Sequence, residues 1–68
     1  MEGRQLKAKI DPQKIYFLRF ILEASGHMAW LSTLEPGVVL LRTSAETEPL
    51  VKKIVEELGE KIGFQGWL

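Results

Sequence analysis

Apolar and polar residues alternate near the start of the chain. From Gln5 to Ile10, three apolar residues fall on one side and two lysines on the other. A period of two is typical of a strand that is buried on one face only. We therefore predict a first β-strand over Gln5–Ile10.

A helix is predicted directly after this strand. Asp11 suits the N-cap because its carboxylate accepts hydrogen bonds from free backbone N–H groups, and Pro12 suits the first helical position. Gly26 suits a left-handed stop after the last turn. The helix is therefore expected over Pro12–Ser25.

Two apolar runs joined by a Pro-Gly turn predict a β-hairpin. The runs are His27–Leu34 and Val38–Thr43, and Glu35-Pro36-Gly37 lies between them. Proline fixes φ near −65°, and glycine accepts the positive φ that follows in such a turn.

The last long element is a clearly amphipathic helix. It is predicted to begin near Thr47, with Pro49 in its first turn, and to end at Gly63. Apolar residues recur on one face with a period of 3.6, at Leu50, Val51, Ile54, Val55, Leu58 and Ile62.

The element order β-α-β-β-α predicts an α+β fold in one domain over residues 1–68. Both helices are expected on one face of an antiparallel sheet, in a two-layer ferredoxin-like arrangement. Phe64–Leu68 is open to two interpretations, a short fourth strand or an apolar tail.

More side chains are apolar than a monomer of this architecture needs. The sheet face away from the helices should be polar, but the hairpin runs have no polar face over most of their length. Aromatic residues also lie outside the core stripe of the first helix. A contiguous apolar surface is typical of an interface, so we expect a homo-oligomer, with a dimer favoured. The expected interface residues are Tyr16, Phe20, Trp30, Leu31, Val38 and Leu40. The alternative is that Phe64–Leu68 folds over part of this surface.

The composition of the chain also favours a homo-oligomer. The chain has 68 residues and no cysteine, so neither a disulfide nor a thiolate metal site can support a small core. One histidine and one aspartate make a metal cage improbable, and we expect neither metal nor cofactor. The first nine residues contain no apolar central stretch, and the longest apolar run is too short to cross a bilayer, so we expect a cytoplasmic protein without a membrane segment.

No constellation of residues indicates catalysis. His27 has no carboxylate placed to orient it and is interpreted as a turn residue. Glu56, Glu57 and Glu60 are interpreted as a solvated helix face. Glycine-rich phosphate loops are absent from the sequence. We therefore expect that the chain is not an enzyme.

Nine basic and nine acidic residues give no net charge, which disfavours broad binding to nucleic acid. The first and third strands also lack the stacking aromatics of RNA-recognition motifs. Weak binding of nucleic acid remains an alternative function if the cations of the strand regions gather on one sheet face. These cations are Arg4, Lys7, Lys9 and Arg42.

A small-molecule site is conceivable where the first strand meets the first helix. Ile10-Asp11-Pro12-Gln13 resembles the D-x-P-G-like turn of amino-acid-sensing ACT-type domains, without its glycine. The resemblance implies that Asp11, Pro12 and Gln13 could bind an amino-acid-like or anionic ligand. The simpler interpretation is that Asp11 only caps the helix.

The chain as a whole resembles a small, uncharacterised bacterial family of about this length. The resemblance rests on Ile10–Ile15, Leu18–Glu23 and Leu31–Leu34. It implies the fold and no activity. The leading hypothesis is thus a non-catalytic, homo-oligomeric binding or regulatory module, and the alternative is a subunit that only binds another protein.

Overall fold

The structure, a computed structural model, describes residues 3–68. In chain order its elements are β1 (Gly3–Lys9), a 3₁₀ turn (Pro12–Lys14), α1 (Ile15–Ala24), β2 (Trp30–Glu35), β3 (Val38–Ser44), α2 (Glu48–Leu58), a second 3₁₀ turn (Gly59–Ile62) and β4 (Gly66–Trp67).

The four strands form one antiparallel sheet in the order β2-β3-β1-β4. The two central strands, β1 and β3, pair along their whole length from Gly3 opposite Ser44 to Lys9 opposite Val38. The edge strands differ greatly in length, since β2 has six residues and β4 has two.

Both helices cover the same face of the sheet. Ala8 lies opposite Val39 in the register, and both side chains are fully buried. They belong to one core cluster that also contains residues of both helices: Ala8, Ile10, Leu18, Leu22, Ala29, Val39, Leu41, Val51, Val55 and Ile62. The predicted two-layer ferredoxin-like α+β class is confirmed.

The first helix begins as predicted after Asp11, but its first turn is a 3₁₀ turn and the α-helix proper starts at Ile15. Asp11 caps this turn, because its Oδ1 accepts a hydrogen bond of 2.9 Å from the Gln13 N–H. Gly26 has φ of 88° and follows the helix end, as expected.

The hairpin is confirmed, and its first strand starts later than predicted. His27 has φ of 58°, which is incompatible with a strand, so β2 begins at Trp30 rather than at His27. The register shifts between Thr33 and Glu35, which leaves Leu34 as a bulge before the turn. Gly37 has the expected positive φ, 85°.

The second helix is also shorter than predicted. Gly59, with φ of 40°, ends α2, and the chain continues as a 3₁₀ turn to Ile62 before Gly63. Val51, Val55 and Ile62 are buried. Leu50, predicted on the same face, is instead 52% exposed, because it lies at the edge of the apolar stripe.

The C-terminal residues form the fourth strand. Trp67 lies opposite Ala8, so its side chain is on the helix side, where Nε1 donates a hydrogen bond of 2.9 Å to Glu56 Oε2. Phe64 packs against the Trp67 ring edge to face, at 5.1 Å between centroids. These two aromatic rings therefore extend the core and leave the opposite sheet face uncovered. No helix among residues 3–68 is long and apolar enough to cross a membrane.

Candidate functional site

At the predicted ligand turn, Pro12 and Gln13 are exposed, whereas Asp11 is half-buried and held by local contacts. The Asp11 carboxylate is engaged by the Gln13 N–H, and the Asp11 N–H donates to Ile62 O at 3.0 Å. A Cβ placed on Gly63 would lie 2.6 Å from the Asp11 Cβ, so backbone fills the space beside this side chain. The geometry here is that of a helix cap.

The expected interface residues do not lie on one surface. Leu31 is opposite Leu41 and packs against the core, so it lies on the helix side. Trp30, Val38 and Leu40 lie on the other side, because the side chains of a strand alternate between its faces.

The open sheet face, the face without helices, is more polar than the sequence suggested. Val38 and Leu40 are half-buried in its centre. The register surrounds them with exposed residues that are mostly polar, namely Gln5, Lys7, Lys9, Trp30, Ser32, Glu35 and Arg42. Three of the four strand cations thus gather on one face. Arg4, opposite Thr43, lies on the helix side.

Tyr16 and Phe20 form a separate apolar surface. They are one turn apart on the side of α1 that faces away from the buried Leu18 and Leu22, and their side chains are 71% and 63% exposed. We call this surface the outer face of α1.

A groove of about 760 Å³ lies at one end of the sheet. It is bordered by the start of β1, the loop between α1 and β2, the end of β3 and Thr47 before α2. We call it the sheet-end groove. Its lining includes the polar or aromatic residues Arg4, Gln5, His27, Trp30, Arg42 and Thr43. Among the described lining residues there is no Asp or Glu.

The aromatic wall of the groove is held by local structure. The His27 ring stacks on Trp30 with centroids 6.0 Å apart and planes 27° apart. The His27 N–H donates to Leu22 O at 3.1 Å, which fixes the left-handed backbone just after α1. Trp30 stays 70% exposed, so much of the indole is available for contact.

Hydroxyl groups tie the other wall together. Thr43 Oγ1 donates a hydrogen bond of 2.8 Å to Met28 O and also contacts Thr47 Oγ1. Ser44 Oγ lies 2.8 Å from the same Thr47 oxygen. These bonds hold β3, the α1–β2 loop and the start of α2 in one arrangement.

The described residues contain no group of three or more side chains of the His, Cys, Asp and Glu types that could hold a metal ion. The sheet-end groove presents cations, hydroxyls and a stacking ring, which are groups suited to ligand recognition.

A family profile described as a domain of unknown function, DUF4911, matches residues 8–62. The chain belongs to the DUF4911 family. Neither the curated proteins nor the solved structures contained a match to it. The DUF4911 match spans the elements from the end of β1 to the second 3₁₀ turn, which include His27, Trp30 and Arg42. It does not reach Arg4 or β4.

Little in the sequence indicates the groove. The sequence favours a turn role for His27, which its backbone supports, and an interface role for Trp30. It predicts Thr43 only as a strand residue and Thr47 only as a helix cap. The available signal was the alternation along β1 and β3, which places Gln5, Arg42 and Trp30 in one row once the pairing register is known.

Proposed function

We propose that this domain is a non-catalytic, homo-oligomeric binding module that pairs through the outer face of α1. The observation that carries the proposal is the composition of α1: only Arg19 and Glu23 of its ten residues are charged. A helix that is apolar on nearly all sides is normally buried on all sides. Here the sheet covers one side, and Tyr16 and Phe20 are left exposed on the other.

A second copy of the chain is the partner that fits this face best. In an antiparallel helix pair with its two-fold axis at Phe20, the two Phe20 rings meet. Tyr16 then lies opposite the small Ala24 of the other copy, and Arg19 and Glu23 can form ion pairs at the flank. A two-fold interface is self-complementary in this way. Aromatic centres with few charges are also typical of interface cores.

The open sheet face fits a symmetric interface less well. A two-fold packing of this face on itself would bring Lys7, Lys9 and Arg42 of both copies together, against one acidic residue per copy, Glu35. Like charges brought together across an interface are unfavourable. We therefore place the interface on α1, which leaves the sheet face and the sheet-end groove accessible for a ligand.

Native mass spectrometry, with light scattering after size exclusion, tests this proposal. We expect a dimer for the natural sequence and a monomer for Phe20→Glu, because the carboxylate would be buried at the two-fold axis. Leu50→Glu is the matched control, since it places the same charge at an exposed leucine of α2 and should leave the dimer intact.

A monomer at every protein concentration, or a Phe20→Glu variant that still dimerises, would contradict the proposal. The monomer result would favour the alternative of a subunit whose α1 face binds a different protein.

A second candidate function is binding of single-stranded nucleic acid. It is favoured by the gathering of Lys7, Lys9 and Arg42 beside the exposed Trp30 on the open sheet face. Cationic surfaces with stacking aromatics bind single strands with a strong salt dependence. Retention on an oligonucleotide column that falls steeply with salt would support this function, and no retention at low salt would exclude it.

A further inference from the structure

We propose that the sheet-end groove binds a nucleotide-like ligand, meaning a planar heterocycle that carries a phosphate. This inference gives a ligand class to the binding module proposed above. It does not depend on the pairing of α1, so either proposal can fail without the other.

The size and charge of the groove suit such a ligand. Its volume of about 760 Å³ is within the range of small-molecule sites, roughly 300–1,000 Å³. The described lining carries two guanidinium groups, from Arg4 and Arg42, and no carboxylate. The positive charge of the lining therefore favours an anionic ligand.

Trp30 and His27 provide the place for the ring. The two aromatic rings are already stacked at 6.0 Å, while Trp30 remains 70% exposed. A base that stacks on the indole would extend this arrangement without a change in the protein. The left-handed backbone of His27, which is uncommon for a residue other than glycine, places the imidazole there.

Arg42 provides the contact with the phosphate. It lies directly opposite Trp30 on β2 and opposite Gln5 on β1. Cβ atoms of residues opposite each other in a sheet are about 4.5–5.5 Å apart, so the guanidinium and the indole can contact one small ligand at once. A guanidinium binds phosphate oxygens with two parallel hydrogen bonds, which a lysine cannot do.

The hydroxyls of Thr43, Ser44 and Thr47 hold the groove open. They bond with one another and with Met28 O, so the loop that carries His27 is fixed to β3 before any ligand arrives. A preformed site of this kind needs little reordering on binding.

The same chemistry can come from a free mononucleotide or from one nucleotide of a single strand. The experiment has an arm for each. Trp67→Phe gives a protein in which Trp30 is the only tryptophan, so its fluorescence reports the groove. This protein is titrated with the four ribonucleoside monophosphates, with adenosine, with inorganic phosphate and with a short single-stranded oligonucleotide. Isothermal titration calorimetry on the natural sequence repeats each titration without the substitution.

We expect saturable quenching of Trp30 by at least one monophosphate, with binding at least about tenfold weaker for adenosine and for phosphate, because each lacks one of the two contacts. Arg42→Gln should weaken binding by about tenfold or more. Lys9→Gln removes the same charge from the same sheet face outside the groove and should change affinity less than about twofold.

Absence of saturable binding by every monophosphate and by the oligonucleotide in both measurements would overturn the proposal. So would equal losses from Arg42→Gln and Lys9→Gln, since these would indicate general attraction of anions to the sheet face. Binding of the oligonucleotide alone, with equal effects of both substitutions, would replace the groove with the nucleic-acid surface described above.

Discussion

At the scale of single residues, Gly63 has the closest neighbour of the glycines that the structure describes. Its φ is 64°, and a Cβ there would lie 2.6 Å from the Asp11 Cβ and 3.1 Å from the Asp11 nitrogen. Gly63→Ala should lower the free energy of unfolding by about 2–4 kcal/mol, the combined cost of the left-handed backbone and of overpacking. Urea denaturation measures this loss.

Gly3→Ala is the control for that substitution, because nothing lies within 4 Å of a Cβ at Gly3. It should stay within about 0.5 kcal/mol of the natural sequence. Equal stabilities of the two variants would show that Gly63 and Asp11 are not packed as described.

Substitutions of Asp11 distinguish a role in helix capping from a role in ligand binding, because the first role affects stability and the second affects affinity. Asp11→Ala removes the acceptor of the Gln13 N–H and should cost about 1 kcal/mol of stability. Asp11→Asn keeps an acceptor and should restore most of this loss. Neither variant should alter nucleotide affinity, since Asp11 does not line the sheet-end groove. A weakened affinity in both would return the ligand site to the β1–α1 turn.

At the scale of elements, Thr43 connects β3 to the loop before β2. Its hydroxyl donates to Met28 O at 2.8 Å, and the bond is partly buried. Thr43→Val keeps the shape but leaves that carbonyl without this donor, so we expect a loss of about 1–3 kcal/mol in thermal or urea unfolding. Thr43→Ser keeps the donor and should lose clearly less. Equal losses in both variants would assign the effect to the methyl group and contradict this role of the hydroxyl.

The elements whose signals are local could be predicted from sequence. Asp11-Pro12 starts the first helix, Pro36-Gly37 forms the turn, and the apolar stripe of α2 is centred on Val51 and Val55. The observed ends of the elements differ from the predicted ones where a single residue has a positive φ. His27 delays β2 and Gly59 ends α2 early, and neither positive φ follows from a periodic pattern.

The pairing register could not be predicted, and it decides what each face of the sheet can do. The two hairpin runs predict an apolar face when their neighbours in the sheet are not known. In the sheet, β3 lies next to β1, so Lys7 and Lys9 flank Val38 and Leu40. Leu31 turns to the helix side because it is opposite Leu41. The sheet-end groove could not be predicted from sequence either, because its walls come from four separate segments of the chain.

At the scale of the whole molecule, a net charge near zero conceals an uneven distribution. The described strands contain four basic residues, Arg4, Lys7, Lys9 and Arg42, against one acidic residue, Glu35. In α2 and the turn after it, the four acidic residues Glu48, Glu56, Glu57 and Glu60 are nearly balanced by Lys52, Lys53 and Lys61, so the excess of positive charge lies on the strands. Net charge alone is therefore a weak argument against an anionic ligand, since the local field at the sheet is what a ligand meets.

Pairing through α1 would bury the outer face of α1 and leave the open sheet face of each copy exposed. It also predicts that stability depends on concentration. When a folded dimer unfolds to two separate chains, each tenfold rise in protein concentration adds about 1.4 kcal/mol to the stability of the dimer, so the melting temperature should rise with concentration. Phe20→Glu should remove this dependence and Leu50→Glu should keep it. The melting temperature of the natural sequence could instead stay constant over a hundredfold dilution. Tyr16 and Phe20 would then face water in the isolated protein, and the outer face of α1 would be free to bind a different protein.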